Sequence, residues 1–129
     1  MSSLPKQLII LRKDLNMRKG KMVAQGAHAS MAVLLNMMTK INDRLNLDPM
    51  PQAMKEWLNG SFTKICVSVD SEEELLDVYT AAKAIGIPCS LIRDAGKTEF
   101  NGVPTYTAVA IGPDYPERID PITKHLPLL

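Results

Sequence analysis

Aromatic side chains are scarce, at 5% of 129 residues, so Phe62, Phe100, Tyr106 and Tyr115 cannot form the interleaved aromatic and basic platform on which single-stranded RNA usually stacks. Only Phe100 and Tyr106, near one loop, could stack on a terminal base or sugar. Cysteine is nearly absent. Cys66 and Cys89 are far apart, in apolar strand-like surroundings, without C-x-x-C or Cys/His ligand spacing, which argues against a disulfide framework or a zinc site. Both are expected to be buried free thiols in a reducing compartment. The chain also lacks a G-x-S-x-G elbow, an H-E-x-x-H pattern and a G-x-G-x-x-G fingerprint, which weakens serine-hydrolase, metalloenzyme and dinucleotide readings.

Long apolar runs are missing as well. The most apolar helical stretch, Met31 to Met38, is too short to cross a bilayer, and Met1-Ser2-Ser3-Leu4-Pro5-Lys6 carries no cationic start followed by an apolar run. A cytoplasmic location without membrane contact is the expectation. Charge is balanced too, at a formal +1. Against that background, Arg12 to Lys21 stands out by gathering Arg12, Lys13, Arg18, Lys19 and Lys21, five of the fifteen basic residues. A local cluster of this kind suits a polyanion contact, phosphate being the natural guess, rather than general stickiness. Lys19-Gly20-Lys21 lacks the spacing of a nucleoside-triphosphate loop, but cations beside helix N–H groups can hold one phosphodiester without reading a base.

With 46% apolar residues and no internal repeat, residues 1–129 read as one globular domain. Gln7 to Arg12 has the continuous apolar character of a strand buried on both faces. Lys21 to about Met38 reads as a helix whose early residues (Ala24, Gly26, Ala27, Ala29) are unusually small. Gln52 to Leu58 makes a short helix anchored by Trp57, and Thr63 to Val69 a second strand. Ser71 and Glu74 form a capping box for the next helix, which Gly86 and Pro88 end before a third strand, Cys89 to Arg93. The loop Asp94 to Gly102 is short enough for Val103 to Ile111 to return antiparallel, and a brief helix from about Pro116 to Lys124 closes the chain. The expected architecture is α/β, a three-layer α/β/α arrangement around a mixed four-stranded sheet.

Loops after the carboxyl ends of strands commonly face the ligand crevice in such sheets, so the basic turn and Asp94-Ala95-Gly96-Lys97-Thr98 should meet. Lys21, Gln25 and His28, spaced i, i+4, i+7, put an ammonium, an amide and an imidazole on one helical face above the turn. His28 is either satisfied by a backbone carbonyl or a proton-transfer group whose tautomer a carboxylate such as Asp94 would fix. Asp94 is either that carboxylate or a turn former bonding the backbone that follows.

Taken together, Leu11-Arg12-Lys13-Asp14-Leu15, Lys19-Gly20-Lys21, Ala24-Gln25, His28-Ala29, Leu91 to Thr98, Ala110-Ile111-Gly112-Pro113, Ile119-Asp120 and Thr123 to Leu126 follow a recognisable order. Over nearly its whole length the chain resembles the archaeal and eukaryotic-type peptidyl-tRNA hydrolases, the type 2 family. The resemblance implies hydrolysis of the ester joining a peptide to the 3′-terminal ribose of tRNA, with no metal and no organic cofactor. It also implies a site containing Lys19, Lys21, His28, Asp94, Thr98, Thr105 and Thr107. We expect His28, Asp94, Lys21 and Thr98 to carry catalysis. Arg12, Lys13, Arg18, Lys19, Gln25, Lys97, Thr105 and Thr107 are expected to hold the substrate. The implied partner is the acceptor end of peptidyl-tRNA, with a homodimer admitted.

Several departures stand out. Lys97 replaces the usual arginine of a D-A-G-R-T motif, keeping the charge but losing a planar fork. Glu99 introduces a carboxylate that could repel RNA, and Lys124-His125-Leu126-Pro127 departs from the usual closing Gly-His-Leu-Lys. His28 and Trp57 stand further apart than in typical members, which marks residues 36–60 as an insertion. A non-catalytic RNA- or protein-binding module on the same fold is the alternative from another class.

Overall fold

The computed structural model describes residues 4–129; residues 1–3, the start of the segment read above as lacking a leader, lie outside the described residues. Strand β1 (Lys6–Arg12) is central, as its apolar run requires. It pairs in parallel with β4 (Lys64–Val69) and antiparallel with β6 (Thr105–Asp114), whose far edge takes β5 (Cys89–Asp94) antiparallel. The order β4-β1-β6-β5 makes the mixed four-stranded sheet expected from the sequence. Because β1 and β5 each oppose β6, their carboxyl ends emerge at the same end of the sheet.

Two core clusters show the three layers. Leu8 and Ile10 of β1 pack with Leu75, Val78 and Ala82 of α3 (Glu72–Ala84) and with Ile119 of α4 (Pro116–Thr123). Ile9 and Leu11, on the opposite face, pack with Ala29 and Val33 of α1 (Lys19–Met37) and Met54 of α2 (Gln52–Asn59). Alternate side chains of one strand thus feed both layers, the period-two geometry of a strand. The Glu74 N–H donates to Ser71 Oγ at 3.0 Å, so half of the predicted capping box is formed. The Trp57 indole donates to the Thr63 carbonyl at 2.8 Å, tying α2 to the entry of β4.

Two expectations need correction. A second, two-stranded sheet of β2 (Thr39–Ile41) and β3 (Arg44–Asn46) lies within residues 36–60, before the short helix expected there, where no strand was expected. Asn42 and Asp43 both have positive φ, which matches the right-handed twist of a tight hairpin. All six strand residues are exposed, so no buried face imposed an alternation that could have been read. The cysteines also differ from expectation. Cys66 is exposed because it lies on the face of edge strand β4 that no helix covers, and Cys89 is half-buried, its thiol pushed up by that burial.

Helix α1 packs across β6, β5 and β1 but not across β4. The outer edge of β4 is partly closed by the chain end: Leu128 bridges Val67, and the Leu129 N–H donates to the Cys66 carbonyl at 3.1 Å. Among the described residues no helix is long and apolar enough to cross a membrane.

Candidate active site

The basic turn is ordered from beneath by Arg12, the last residue of β1. Its guanidinium is buried, forks onto Asp14 (Nη2 to Oδ2, 2.7 Å; Nε to Oδ1, 3.2 Å) and donates from Nη1 to the Tyr106 carbonyl at 3.1 Å. Arg12 holds the Asp14 carboxyl below its usual range, chiefly by hydrogen bonding. Expected from sequence to contact the substrate, Arg12 is instead an internal strut, its guanidinium spent on Asp14 and the Tyr106 carbonyl. The exposed cations are Lys13, Arg18, Lys19 and Lys97. Arg18 lies 3.7 Å from Glu99, so the carboxylate feared as an RNA repellent is set against a cation.

From that turn α1 rises, and its Lys21 and Gln25 meet the carboxyl end of β5. Lys21 Nζ donates to Asp94 Oδ1 at 3.0 Å and to Thr98 Oγ1 at 2.8 Å. Gln25 Nε2 donates to the same Asp94 oxygen at 3.2 Å, while its Oε1 accepts from the Thr107 hydroxyl. Only this amide orientation satisfies a carboxylate on one side and a hydroxyl donor on the other. Gln25 and Thr107 are buried, at 2% and 0% exposure, so they brace Asp94 from inside without reaching solvent. Asp94 Oδ2 accepts the Gly96 N–H at 2.8 Å. The Asp94 carboxyl is held below its usual range, first by the Lys21 hydrogen bond and then, against the opposing effect of burial, by the Gly96 N–H.

Gly96 makes the loop shape that brings Thr98 to Lys21. Its φ is +82°, and a Cβ there would stand 2.2 Å from the Val103 carbonyl oxygen. No other residue fits. Across the loop the Gly102 N–H closes onto the Gly96 carbonyl at 2.8 Å, and the Phe100 ring centre lies 5.7 Å from Lys21 Nζ.

Of the residues singled out by sequence, Lys21, Gln25, Asp94, Thr98 and Thr107 form one connected network. Thr105 faces Asp94 across the β5–β6 ladder, but its hydroxyl turns away from the network and donates to the Val103 carbonyl at 2.8 Å. His28 is exposed on α1, and among the described residues no hydrogen bond joins it to Asp94. The pairing in which Asp94 fixes the His28 tautomer is therefore not formed, because Lys21 and Gln25 occupy that carboxylate. Gly96 and the buried bracing role of Gln25 and Thr107 were not deduced from sequence. The glycine had a signal in the Asp-Ala-Gly turn, whereas the Gln25–Thr107 contact joins residues 82 positions apart and had none.

The spare hydrogen-bonding capacity of this network sets what it can do. An ammonium has three N–H groups and Lys21 uses two, leaving one to aim outward. Thr98 accepts from Lys21, so its own hydroxyl proton is available. These two donors lie side by side at the mouth of the site, beside a carboxylate that must be ionised at neutral pH. That is a place to stabilise an oxyanion and orient a water.

The structure is that of an α/β protein with a mixed four-stranded sheet and a lysine–aspartate–threonine cluster beside a cationic turn, and comparison with known proteins narrows it. The family model described as Peptidyl-tRNA hydrolase PTH2 matches residues 5–129. The chain is 48% identical over 124 residues to the Peptidyl-tRNA hydrolase of Methanocaldococcus jannaschii, covering 96% of this chain and 99% of that one. It is 44% identical over 125 residues to the protein of the same name from Methanothermobacter thermautotrophicus, again covering 96% and 99%. The Methanopyrus kandleri protein, also named Peptidyl-tRNA hydrolase, is 40% identical over 124 residues, or 96% and 97% of the two chains. This chain belongs to the type 2 peptidyl-tRNA hydrolase family.

Proposed function

We propose that this chain hydrolyses peptidyl-tRNA, cleaving the ester between a peptide or N-blocked amino acid and the 3′-terminal ribose and releasing free tRNA, without metal or organic cofactor. The observation that carries the reading is the single ammonium of Lys21 bound at once to Asp94 and Thr98. Lys13, Arg18, Lys19 and Lys97 hold the phosphates of the acceptor end, contacts that fix position without reading sequence.

Water rests on Asp94 Oδ2, the oxygen that accepts only the Gly96 N–H, and attacks the ester carbonyl. The charge that develops on the carbonyl oxygen is met by the third N–H of Lys21 and the hydroxyl of Thr98. A carboxylate held this low is a weak base, so Asp94 contributes mainly by orienting the water; the proton released as the new C–O bond forms passes by way of Asp94 to the ribose 3′-oxygen as the ester C–O bond breaks, leaving the peptide acid and a free 3′-hydroxyl. Stabilisation by Lys21 and Thr98 is the other main contribution. Gln25 and Thr107 are positioning residues. Arg12 orders the turn, Thr105 steadies the loop, and His28 borders the substrate from the next turn of α1.

Within the same proposal the chain acts as one domain, 1–129, in the cytoplasm where peptidyl-tRNA is made. An insertion falls within residues 36–60, and the hairpin there serves a homodimer. Ile41 and Leu45 are 55% and 59% exposed, and adjacent Asp43 and Arg44 allow two copies to exchange opposite charges about a two-fold axis. Sedimentation of Ile41→Lys, expected to be monomeric where the parent is dimeric, tests this. The non-catalytic binding module is not favoured, since the relatives carry a hydrolase name over nearly their whole length.

The test is release of the amino acid from N-acetyl-aminoacyl-tRNA in excess chelator, with unblocked aminoacyl-tRNA as control. Turnover confined to the blocked substrate and indifferent to chelator is expected. Binding of tRNA without release would overturn the proposal.

A further inference from the structure

Because α1 leaves β4 uncovered, an apolar groove of about 660 Å³ opens between them, floored by Ile9 and Leu11 and walled by Met22, Met31, Trp57 and Phe62. From Met22 to Met37 α1 contains no Lys, Arg, Asp or Glu, although Val23 is 72% exposed and Met31 49%. A surface helix ordinarily places charge on its outer face, so these sixteen residues signal that something apolar covers this flank.

The groove and the site flank the same first turns of α1. The near end of the groove is marked by Lys19, Met22 and Val23 in the first turns of α1, the same turns that present Lys21 to Asp94 from the other flank. Between them lies Gly20, above which a Cβ would meet nothing within 4 Å. The path over the start of the helix is therefore open, and it passes helix N–H groups that have no acceptor within α1.

On the basis of the hydrolase reading, we propose that this groove is the subsite for the peptide part of the substrate, taking apolar side chains of a chain that leaves the ester at Lys21, Asp94 and Thr98 and crosses Gly20. Crossing a helix of roughly 10 Å diameter takes about three extended residues at ~3.3 Å each. The stretch of α1 from Met22 to Leu34 spans about 18 Å at 1.5 Å per residue, room for about five more. The groove thus senses residues from about the fourth before the ester and cannot be reached by a single N-blocked amino acid.

The experiment compares N-acetyl-leucyl-tRNA with two octapeptidyl-tRNAs that share their last three residues and carry either leucine and valine or serine and aspartate before them. Wild type is expected to show kcat/KM about tenfold higher on the apolar octapeptide, roughly the equivalent of burying one apolar side chain. Met31→Glu, and separately Phe62→Glu, should abolish that preference and leave N-acetyl-leucyl-tRNA unchanged. Both positions are exposed, and Met31→Gln gives an uncharged version of the same loss.

Equal kcat/KM on both octapeptides, or Met31→Glu altering the association state while sparing every substrate, would overturn the subsite. Binding of the free apolar octapeptide amide, followed by fluorescence anisotropy, separates this inference from the hydrolase reading. Binding lost in Met31→Glu without turnover of any tRNA ester would sink the activity and keep the groove. Turnover of all three esters with no peptide binding would do the reverse.

Discussion

The two flanks of α1 are built from opposite chemistries although they share one helix. On the flank toward β5, Lys21 and Gln25 enter a hydrogen-bonded network with Asp94, Thr98 and Thr107 in which each group has a partner. On the flank toward β4, Met22, Val23 and Met31 present apolar surface to a groove with little that is polar. The difference comes from how far the helix is offset on its sheet. Covering β6 and β5 presses the polar row against the strand ends, while leaving β4 bare strands the apolar row. A fixed network suits chemistry at one position, whereas an apolar trough tolerates many occupants, as a peptide of variable sequence requires.

The comparison breaks most severely at Asp94. Asp94→Asn keeps the shape but removes the charge, and should lower single-turnover hydrolysis about 10²–10³-fold while changing the tRNA Kd less than about threefold. Equal losses in both would mean that Asp94 merely holds the substrate. Next comes the bracing on the buried side. Thr107→Val leaves Gln25 Oε1 without its donor and should cost about 1–3 kcal/mol of unfolding free energy in urea. The same change should lower kcat about tenfold through misplacement of Asp94 with KM little altered.

A smaller effect is expected at the rim. Lys19→Ala or Arg18→Ala should weaken tRNA binding a few-fold and reduce the slope of log K against log salt by about one, leaving kcat intact. The smallest effect is that of pH. The folded Asp94 carboxyl sits below its unfolded value of about 3.9, so its contribution to stability is full above that value and disappears only as pH falls through the lower folded one. Hydrolysis should accordingly show no loss attributable to Asp94 between pH 5 and 8. A mechanism resting on an imidazole base would instead lose rate as pH falls through about 6.5, the ordinary histidine value.

The polar flank was largely legible in the sequence, and the apolar flank was not. Spacing alone aligned Lys21 with Gln25, and topology brought the Asp94 loop to the end of β1, because a short loop forces β6 to return antiparallel. Burial on both faces of β1 and the Ser71 cap were readable for the same reason: each rests on contacts local in sequence or on a run of one residue class. The Gln25–Thr107 bond was invisible because it depends on tertiary register. The hairpin at residues 39–46 was not legible because its strands bury nothing, nor was the exposure of Cys66, because tertiary packing decides which face of β4 goes uncovered. The same dependence on packing hid the groove: nothing in residues 22–37 says which strands α1 will leave uncovered. Their lack of charge was the available sign, and small residues drew attention away from it.

The most direct measurement pairs chemistry and binding at Lys21, the residue that α1 aims at Asp94 and Thr98. Single-turnover hydrolysis of N-acetyl-aminoacyl-tRNA and equilibrium binding of uncharged tRNA would be followed side by side in wild type and Lys21→Met. A rate reduced about 100-fold or more with a tRNA Kd within about threefold of wild type is the predicted result. A rate that falls only in proportion to lost tRNA affinity would contradict the account, reducing Lys21 to one more cation of the rim.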